Sequence, residues 1–259
     1  MSAILDVRDL EKTFGSVVAA RDISVRVAPL QTVGIIGANG AGKTTFVNMI
    51  TGHLRPTKGS IEFEGRDITG LPSRQITRLG ISRSFQVAQV FASQTVYENM
   101  CTATAVARGP DSMLSRVFTP LDSAETRKAA DAAIELFQIA RYRNAKASTL
   151  PQGVRKLLDI AMAVAGSPRV LLLDEPTSGI SVEEKFGLMD VVMSALRSRK
   201  ITVLFVEHDM EIVGRFAERV LAFYDGTVIA DQTPREVLAN PKVQAFISGT
   251  RPPEAGHHA

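Results

Sequence analysis

Residues 37–45 read Gly-Ala-Asn-Gly-Ala-Gly-Lys-Thr-Thr, and this run constrains the fold more than any other part of the chain. It fits G-x-x-x-x-G-K-[ST], the pattern of a loop that wraps a phosphate. Gly37, Gly40 and Gly42 let the backbone curl so that successive N–H groups turn inward at an anion, with Asn39 and Ala41 between them. Lys43 brings a positive charge to the outer phosphates, and the Thr44 hydroxyl is a hard oxygen suited to Mg2+. Upstream, Thr32-Val33-Gly34-Ile35-Ile36 is a short apolar strand; downstream, Thr45 to Thr51 begins a helix whose positive N-terminus faces the anion.

Two further apolar runs, Val170-Leu171-Leu172-Leu173 and Val203-Leu204-Phe205-Val206, suit strands buried on both faces of a parallel sheet, with a helix over 182–198 between them. The chain therefore reads as α/β. The first run ends in Asp174-Glu175-Pro176, which puts two carboxylates at the C-terminal edge of the sheet, where such folds bind ligands. Asp174 is suited to hold Mg2+ through water, and Glu175 to polarise an attacking water as a general base. Alone, the pair would read equally well as an acidic helix cap; the phosphate loop in the same chain favours chemistry. The second run leads into Glu207-His208-Asp209-Met210. A lone histidine is more often structural, but His208 follows a strand of the same sheet and is placed to hydrogen-bond a γ-phosphate. Gln86, in Ser82-Arg83-Ser84-Phe85-Gln86, carries a neutral amide able to reach Mg2+ or the water. Phe14, upstream of the phosphate loop, has a face for a purine, although an ordinary core phenylalanine is the plainer reading of that residue alone.

Residues 4–8 and 23–28 alternate apolar and polar side chains, as strands of an antiparallel edge sheet do, and 58–65 reads turn, strand, turn. A helix over 124–140 would place Ala129, Ala133, Leu136 and Phe137 on one face, and another is expected over 154–166. One domain over 1–250 is expected, with a helical subdomain at about 90–160 inserted in the α/β core and a disordered tail, 251–259, that holds His257 and His258. The 259 residues are 45% hydrophobic and 22% charged, ordinary for a globular chain. A net charge of +3 with scattered basic residues argues against nucleic acid as a partner. The single cysteine, Cys101, allows no internal disulfide and fits a reducing compartment. Met1 to Asp6 show no signal peptide, and no apolar run approaches the ~20 residues of a membrane helix, so a soluble protein able to dock on a membrane protein is expected.

Taken in order, these segments resemble the ATP-binding subunit of ABC transporters, from about residue 3 to 249. The resemblance implies a P-loop NTPase with a RecA-like core, an antiparallel β-subdomain and an inserted helical subdomain, with ATP and Mg2+ as its cofactors. It implies that Phe14 stacks on adenine, that Gly37 to Thr45 form the Walker A loop, that Gln86 is the Q-loop residue, and that Val170 to Asp174 form Walker B. Glu175 would be the catalytic carboxylate and His208 the switch histidine. Arg83-Ser84-Phe85-Gln86, Thr95-Val96-Tyr97-Glu98-Asn99, Val206 to Met210 and Thr233-Pro234-Arg235-Glu236-Val237-Leu238 are similar to the branched-chain amino acid uptake group. The ATPase of lipopolysaccharide export is a close alternative, and a weakly hydrolysing nucleotide switch a more distant one.

Two departures stand out. The family signature Leu-Ser-Gly-Gly-Gln aligns with Leu150-Pro151-Gln152-Gly153-Val154, in a register supported by Ile160-Ala161. Pro151 replaces the serine that would contact the γ-phosphate of the opposite subunit's ATP and has no N–H to offer. Gly153 and the helix N-terminus still offer backbone donors, and Arg155 or Lys156 could supply a compensating charge, although solvated side chains are the plainer expectation. The D-loop Ser-Gly-Leu-Asp is Ser178-Gly179-Ile180-Ser181 here and lacks its carboxylate. Both changes affect the site this chain completes for a partner, so a heterodimer with a second ABC ATPase is expected ahead of a self-dimer. The resemblance further implies membrane permease subunits, docked on a surface at about 87–110, an indirect solute-binding protein, and a peripheral place on the cytoplasmic face of the inner (plasma) membrane.

Overall fold

A computed structural model describes residues 3–86, 88–108 and 123–247. The expected tail, with His257 and His258, lies outside the described residues, as do positions 87, 109 and 110 of the expected docking surface. The chain divides into two compact units, Met1–Ile76 with Leu204–Ala259, and Thr77–Val203.

The first unit holds β1 (Leu5–Phe14), β2 (Val17–Val27), β3 (Thr32–Gly37), β4 (Lys58–Phe63) and β5 (Arg66–Asp67). It also holds the end of β8 (Thr202–Val206), then β9 (Arg219–Tyr224) and β10 (Thr227–Gln232). Strands β2-β1-β4-β5 make an antiparallel sheet. Leu5 pairs with Val27 and Phe63, and Val7 with Val25 and Ile61, so the alternating apolar side chains meet on one buried face. The expected strands 4–8 and 23–28 are the regular ends of longer ones. Beyond Arg8 the alternation fails at a bulge, where Asp9 has φ 47°, yet pairing to neighbours on both sides carries β1 on to Phe14.

The second sheet in this unit runs β10-β9-β3, with β8 next to β3. Every residue of β3 is buried, and β3 pairs parallel with β9 from Val33↔Arg219 to Gly37↔Phe223. Helix α1 (Lys43–Ile50) packs Phe46 on Phe223, with ring centroids 5.2 Å apart. Helix α7 (Met210–Phe216) lies close over β3; a Cβ at Gly34 would stand 3.2 Å from the side chains of Val213 and Ala217. Asp209 caps α7 by accepting from the N–H groups of Glu211 and Ile212. Helix α8 (Pro234–Ala239) starts with a full capping box, Thr233 and Glu236 bonding each other's backbone, with Pro234 at the first helical position.

The second unit pairs β6 (Ile81–Ser84) with β7 (Val170–Asp174) in parallel, from Ile81↔Val170 to Ser84↔Leu173. Its helices are α3 (Val96–Arg108), α4 (Ala124–Leu136), α5 (Gln152–Val164) and α6 (Val182–Ser198). Helices α3 and α4 pack together, and both contact α5. On α4 the expected face is only half right. The fully buried side chains are Thr126, Ala130 and Ile134, while Ala129, Ala133 and Leu136 are half-buried beside them. With Phe137 these three line a cavity of about 90 Å³ against Ala161 and Val164. Helix α3 starts with the reciprocal Thr95–Glu98 pair: the Thr95 N–H donates to Glu98 Oε2 at 2.7 Å and the Glu98 N–H to Thr95 Oγ1 at 3.2 Å. Helix α5 begins two residues earlier than expected, at Gln152, because a helix needs no apolar periodicity in its first turn.

Candidate functional site

In the first unit the phosphate loop leaves the buried end of β3. Gly37 has φ 149°, and a Cβ there would stand 2.4 Å from the Phe223 carbonyl oxygen, so no other residue fits. Gly42 has φ 98°, and its Cβ would meet the Ala19 carbonyl oxygen at 2.8 Å. The loop is tied to its surroundings: Ala41 is buried and accepts from the Gly226 N–H at 3.1 Å. Lys43 is buried, and its Nζ donates to the carbonyls of Gly37 at 2.8 Å and Ala38 at 2.9 Å. Asn39, Gly40 and Thr44 are exposed and Thr45 is half-buried. Helix α1 has no side-chain cap and no acidic residue in its first turn, so its leading N–H groups suit an anion.

His208 stands at the same edge of this unit. The Glu207 N–H donates to the Ile35 carbonyl, two residues before Gly37, and the buried Glu207 carboxylate accepts from the His208 N–H at 3.1 Å. The His208 side chain is exposed. Phe14 is 51% exposed with Lys12 Nζ 5.0 Å from its ring centroid, which overturns the plainer reading of a core phenylalanine.

The second unit supplies the carboxylates. Asp174 ends β7 and is held by Arg83 of β6, Nη2 to Oδ2 at 2.5 Å, with both side chains largely buried. Glu175 follows with φ 46°, a left-handed conformation rare outside glycine. Such strain persists where the surrounding structure over-determines it, and it clusters at functional sites. Gln86 is exposed, and its Nε2 donates to Glu175 Oε2 at 2.5 Å. The structure thus brings Gln86 to the candidate base.

The segment Leu150–Gly153 leads into α5. Leu150 is buried, Pro151 and Gln152 are exposed, and Pro151 occupies the N-cap without any side-chain cap. Gln152 lies over Gly179 of the Ser178–Ser181 segment: a Cβ at Gly179 would stand 2.2 Å from its Nε2. The two departures from the family pattern therefore touch. Arg155 and Lys156 are not solvated, contrary to expectation. Arg155 is half-buried and donates to the carbonyls of Ser148 at 3.2 Å and Leu150 at 3.3 Å. Lys156 is buried and donates to Phe85 O at 2.7 Å and Gln86 O at 3.0 Å. Sequence reasoning missed this role for Lys156 and that of Arg83. A charge on the inward face of an amphipathic helix was the available signal for Lys156; Arg83, on a strand, offered none.

Among the described residues no group of three or more His, Cys, Asp or Glu side chains forms a cage for a metal. Each unit offers a hard oxygen of the kind Mg2+ takes, the exposed Thr44 hydroxyl in the first and the Asp174 carboxylate in the second. Among the described residues no helix is long and apolar enough to cross a membrane.

Known proteins agree with this geometry. The ABC transporter family model matches residues 20–178. The high-affinity branched-chain amino acid transport ATP-binding protein BraF of Pseudomonas aeruginosa is 34% identical over 243 residues, covering 93% of this chain and 95% of that one. The lipopolysaccharide export system ATP-binding protein LptB of Acidithiobacillus ferridurans is 32% identical over 249 residues, with 96% and 98% covered. Among solved structures, the ADP conformation of MJ1267, an ATP-binding cassette of an ABC transporter, superposes with a TM-score of 0.83 at 29% identity, over 96% of this chain and all of that one. A phosphate loop built of obligatory glycines, a strand ending in Asp-Glu and a nearly full-length match to these relatives lead to one assignment: the chain belongs to the ABC transporter family, as an ATP-binding cassette with the α/β core and helical part of that fold.

Proposed function

We propose that this chain is the ATP-hydrolysing subunit of an importer for branched-chain amino acids or similar small amphipathic molecules. The observation that carries the reading is the match to BraF over 95% of that protein's length, made by a chain whose phosphate loop and Asp174-Glu175 pair are intact. In this reading the α1 N-terminus and Lys43 bind the phosphates, and Phe14 stacks on adenine. Thr44, Asp174 and Gln86 serve Mg2+, which when bound neutralises charge on the phosphates. Glu175 takes the proton of the attacking water and His208 holds the γ-phosphate. The partners are permease subunits, a second cassette and, through the permease, a solute-binding protein, with the chain peripheral on the cytoplasmic face of the membrane.

A cell lacking this chain should lose saturable uptake of leucine, isoleucine and valine. The wild-type chain should restore it and the Glu175→Gln variant should not. Normal uptake together with failed lipopolysaccharide delivery would overturn the import reading in favour of export, the second reading supported by the LptB match.

The altered segments Leu150–Gly153 and Ser178–Ser181 support a heterodimer, because each acts on the site this chain completes for its partner. Glu175→Gln chain with MgATP should stay monomeric by solution mass and form a dimer when a second cassette is added. An ATP-dependent dimer of the chain with itself would sink that arrangement.

A further inference from the structure

Helix α5 carries two buried charged side chains that the proposed chemistry does not use. Lys156 is 4% exposed and Asp159 5% exposed, three residues apart and so on one face of the helix. Buried charges persist only where bonded partners offset their lost hydration. Here the partners are main-chain groups of the Gln86 segment. Lys156 Nζ donates to the carbonyls of Phe85 at 2.7 Å and Gln86 at 3.0 Å, and Asp159 Oδ1 accepts from the Gln89 N–H at 2.7 Å. Burial pushes the Asp159 carboxyl above its ordinary range, opposed by the Gln89 N–H, the Lys156 charge and the Phe85 N–H. The same Gln86 whose carbonyl is held by α5 reaches Glu175 with its side chain. One hydrogen bond thus joins α5 to Gln86, and a second joins Gln86 to the candidate base. The helix so connected starts at Leu150–Gly153, the segment that faces the partner's nucleotide in the family arrangement.

We propose that Lys156 and Asp159 are positioning residues: a buried clamp that fixes the backbone of Phe85, Gln86 and Gln89 to α5, so that the helix sets whether Gln86 lies against Glu175. The proposal rests on the reading of Glu175 as the base. It explains why a lysine and an aspartate occupy the inner face of a helix that otherwise buries Leu158, Ile160, Ala161 and Val164. Through the clamp, a displacement of α5 is passed to the amide of Gln86, while the nucleotide-binding loop 37–45 lies outside the connection.

The test is a double-mutant cycle on the chain purified with its membrane subunits, reading kcat and KM for MgATP together with ATP affinity. Lys156→Met should lower kcat roughly 10- to 100-fold, as misplacement of a reacting group by about 1 Å does, with ATP affinity within about twofold of wild type. Lys156→Arg should restore part of the loss. In a Gln86→Ala background, Lys156→Met should cost little more, because both changes remove the same contact to Glu175. Equal losses in the two backgrounds, or a Lys156→Met kcat within about twofold of wild type, would overturn the clamp. Should Lys156→Met not fold, Asp159→Ser read in the same cycle tests the coupling through Gln89. Glu175→Gln is run in parallel: unchanged turnover in that variant overturns the reading of Glu175 itself, whatever the clamp variants do.

Discussion

Two segments of this chain run into the N-terminus of a helix with no side-chain cap, 37–42 into α1 and 150–151 into α5, and they are built in opposite ways. The first is enclosed. Backbone from β9 at Gly37, and from β2 and the turn after β9 at Gly42, fills the space a side chain would need, and Lys43 is buried against the loop's own carbonyls. The second is open. Pro151 and Gln152 are exposed, and a Cβ at Gly153 would meet only ordinary contacts, to Leu188 at 3.7 Å and Ile180 at 3.9 Å. The phosphate loop is thus enclosed by backbone of its own unit, whereas Pro151 and Gln152 stand open among the described residues of theirs. The difference explains how the second segment departs from the family pattern while the first does not: only the enclosed loop has steric partners that reject other residues.

The comparison is most directly broken by ATP binding. Lys43→Ala should reduce turnover by roughly 100- to 1,000-fold, the usual effect of removing one charged donor from a developing anion, and should weaken ATP binding to the chain itself. Gln152→Ala should leave that binding within about twofold of wild type, as measured by titration with MgATP, because an exposed side chain that is not part of the loop shifts energetics little. Equal loss in both variants would erase the distinction between the enclosed and the open segment.

A smaller effect is expected on stability. Gly37→Ala forces a left-handed residue against the Phe223 carbonyl and should destabilise the first unit by about 3 kcal/mol, read as a fall in thermal midpoint. Gly153→Ala should change it by less than about 1 kcal/mol, helix propensity offsetting a tolerable contact. A midpoint for Gly37→Ala equal to that of Gly153→Ala would show that the enclosure of the loop is not what its glycines serve.

The smallest effect sharpens the account of what lies behind the open segment. Burial raises the folded pKa of Asp159, so the wild-type chain binds that proton more tightly folded than unfolded. Its stability relative to Asp159→Asn should therefore be best below the ordinary carboxylate range and decline as pH rises through the raised pKa. The thermal midpoint of Asp159→Asn minus that of wild type should be larger at pH 8 than at pH 4, and a difference independent of pH would contradict the stated cause.

Some of the segments that resemble the branched-chain uptake group prove to be helix-starting devices. Thr95 and Glu98 form a reciprocal cap for α3, Thr233 and Glu236 for α8, and Asp209 caps α7 one residue after His208. Their legibility has a simple origin, since a cap is a contact between residues two or three apart. The obligatory glycines of the phosphate loop and the buried runs of β3, β7 and β8 were legible for the same reason: each is a short pattern with a local physical meaning. Contacts between residues distant in the chain left a weaker mark or none: the helix period put the Lys156 charge on an inward face, and nothing marked Arg83. Arg83 meets Asp174 across 91 residues, and Lys156 meets Phe85 across 71. Read along the chain, Lys156 was one more charged residue beside Arg155, expected in solvent. Folded, it lies under the segment that carries Gln86.

The amino-acid sequence by itself determined the α/β alternation, the glycine loop before a helix, and the carboxylates at a strand end, because periodicity, steric permission and charge act within a few residues. Only the tertiary structure decided that Gln86 rests on Glu175, that Arg83 holds Asp174, and that Lys156 and Asp159 grip the Gln86 segment. Those contacts depend on which elements are neighbours in space. Those of Arg83, Lys156 and Asp159 are maintained by burial, which leaves a charged side chain little water and obliges it to find a partner far along the chain, whereas Gln86 meets Glu175 at the surface.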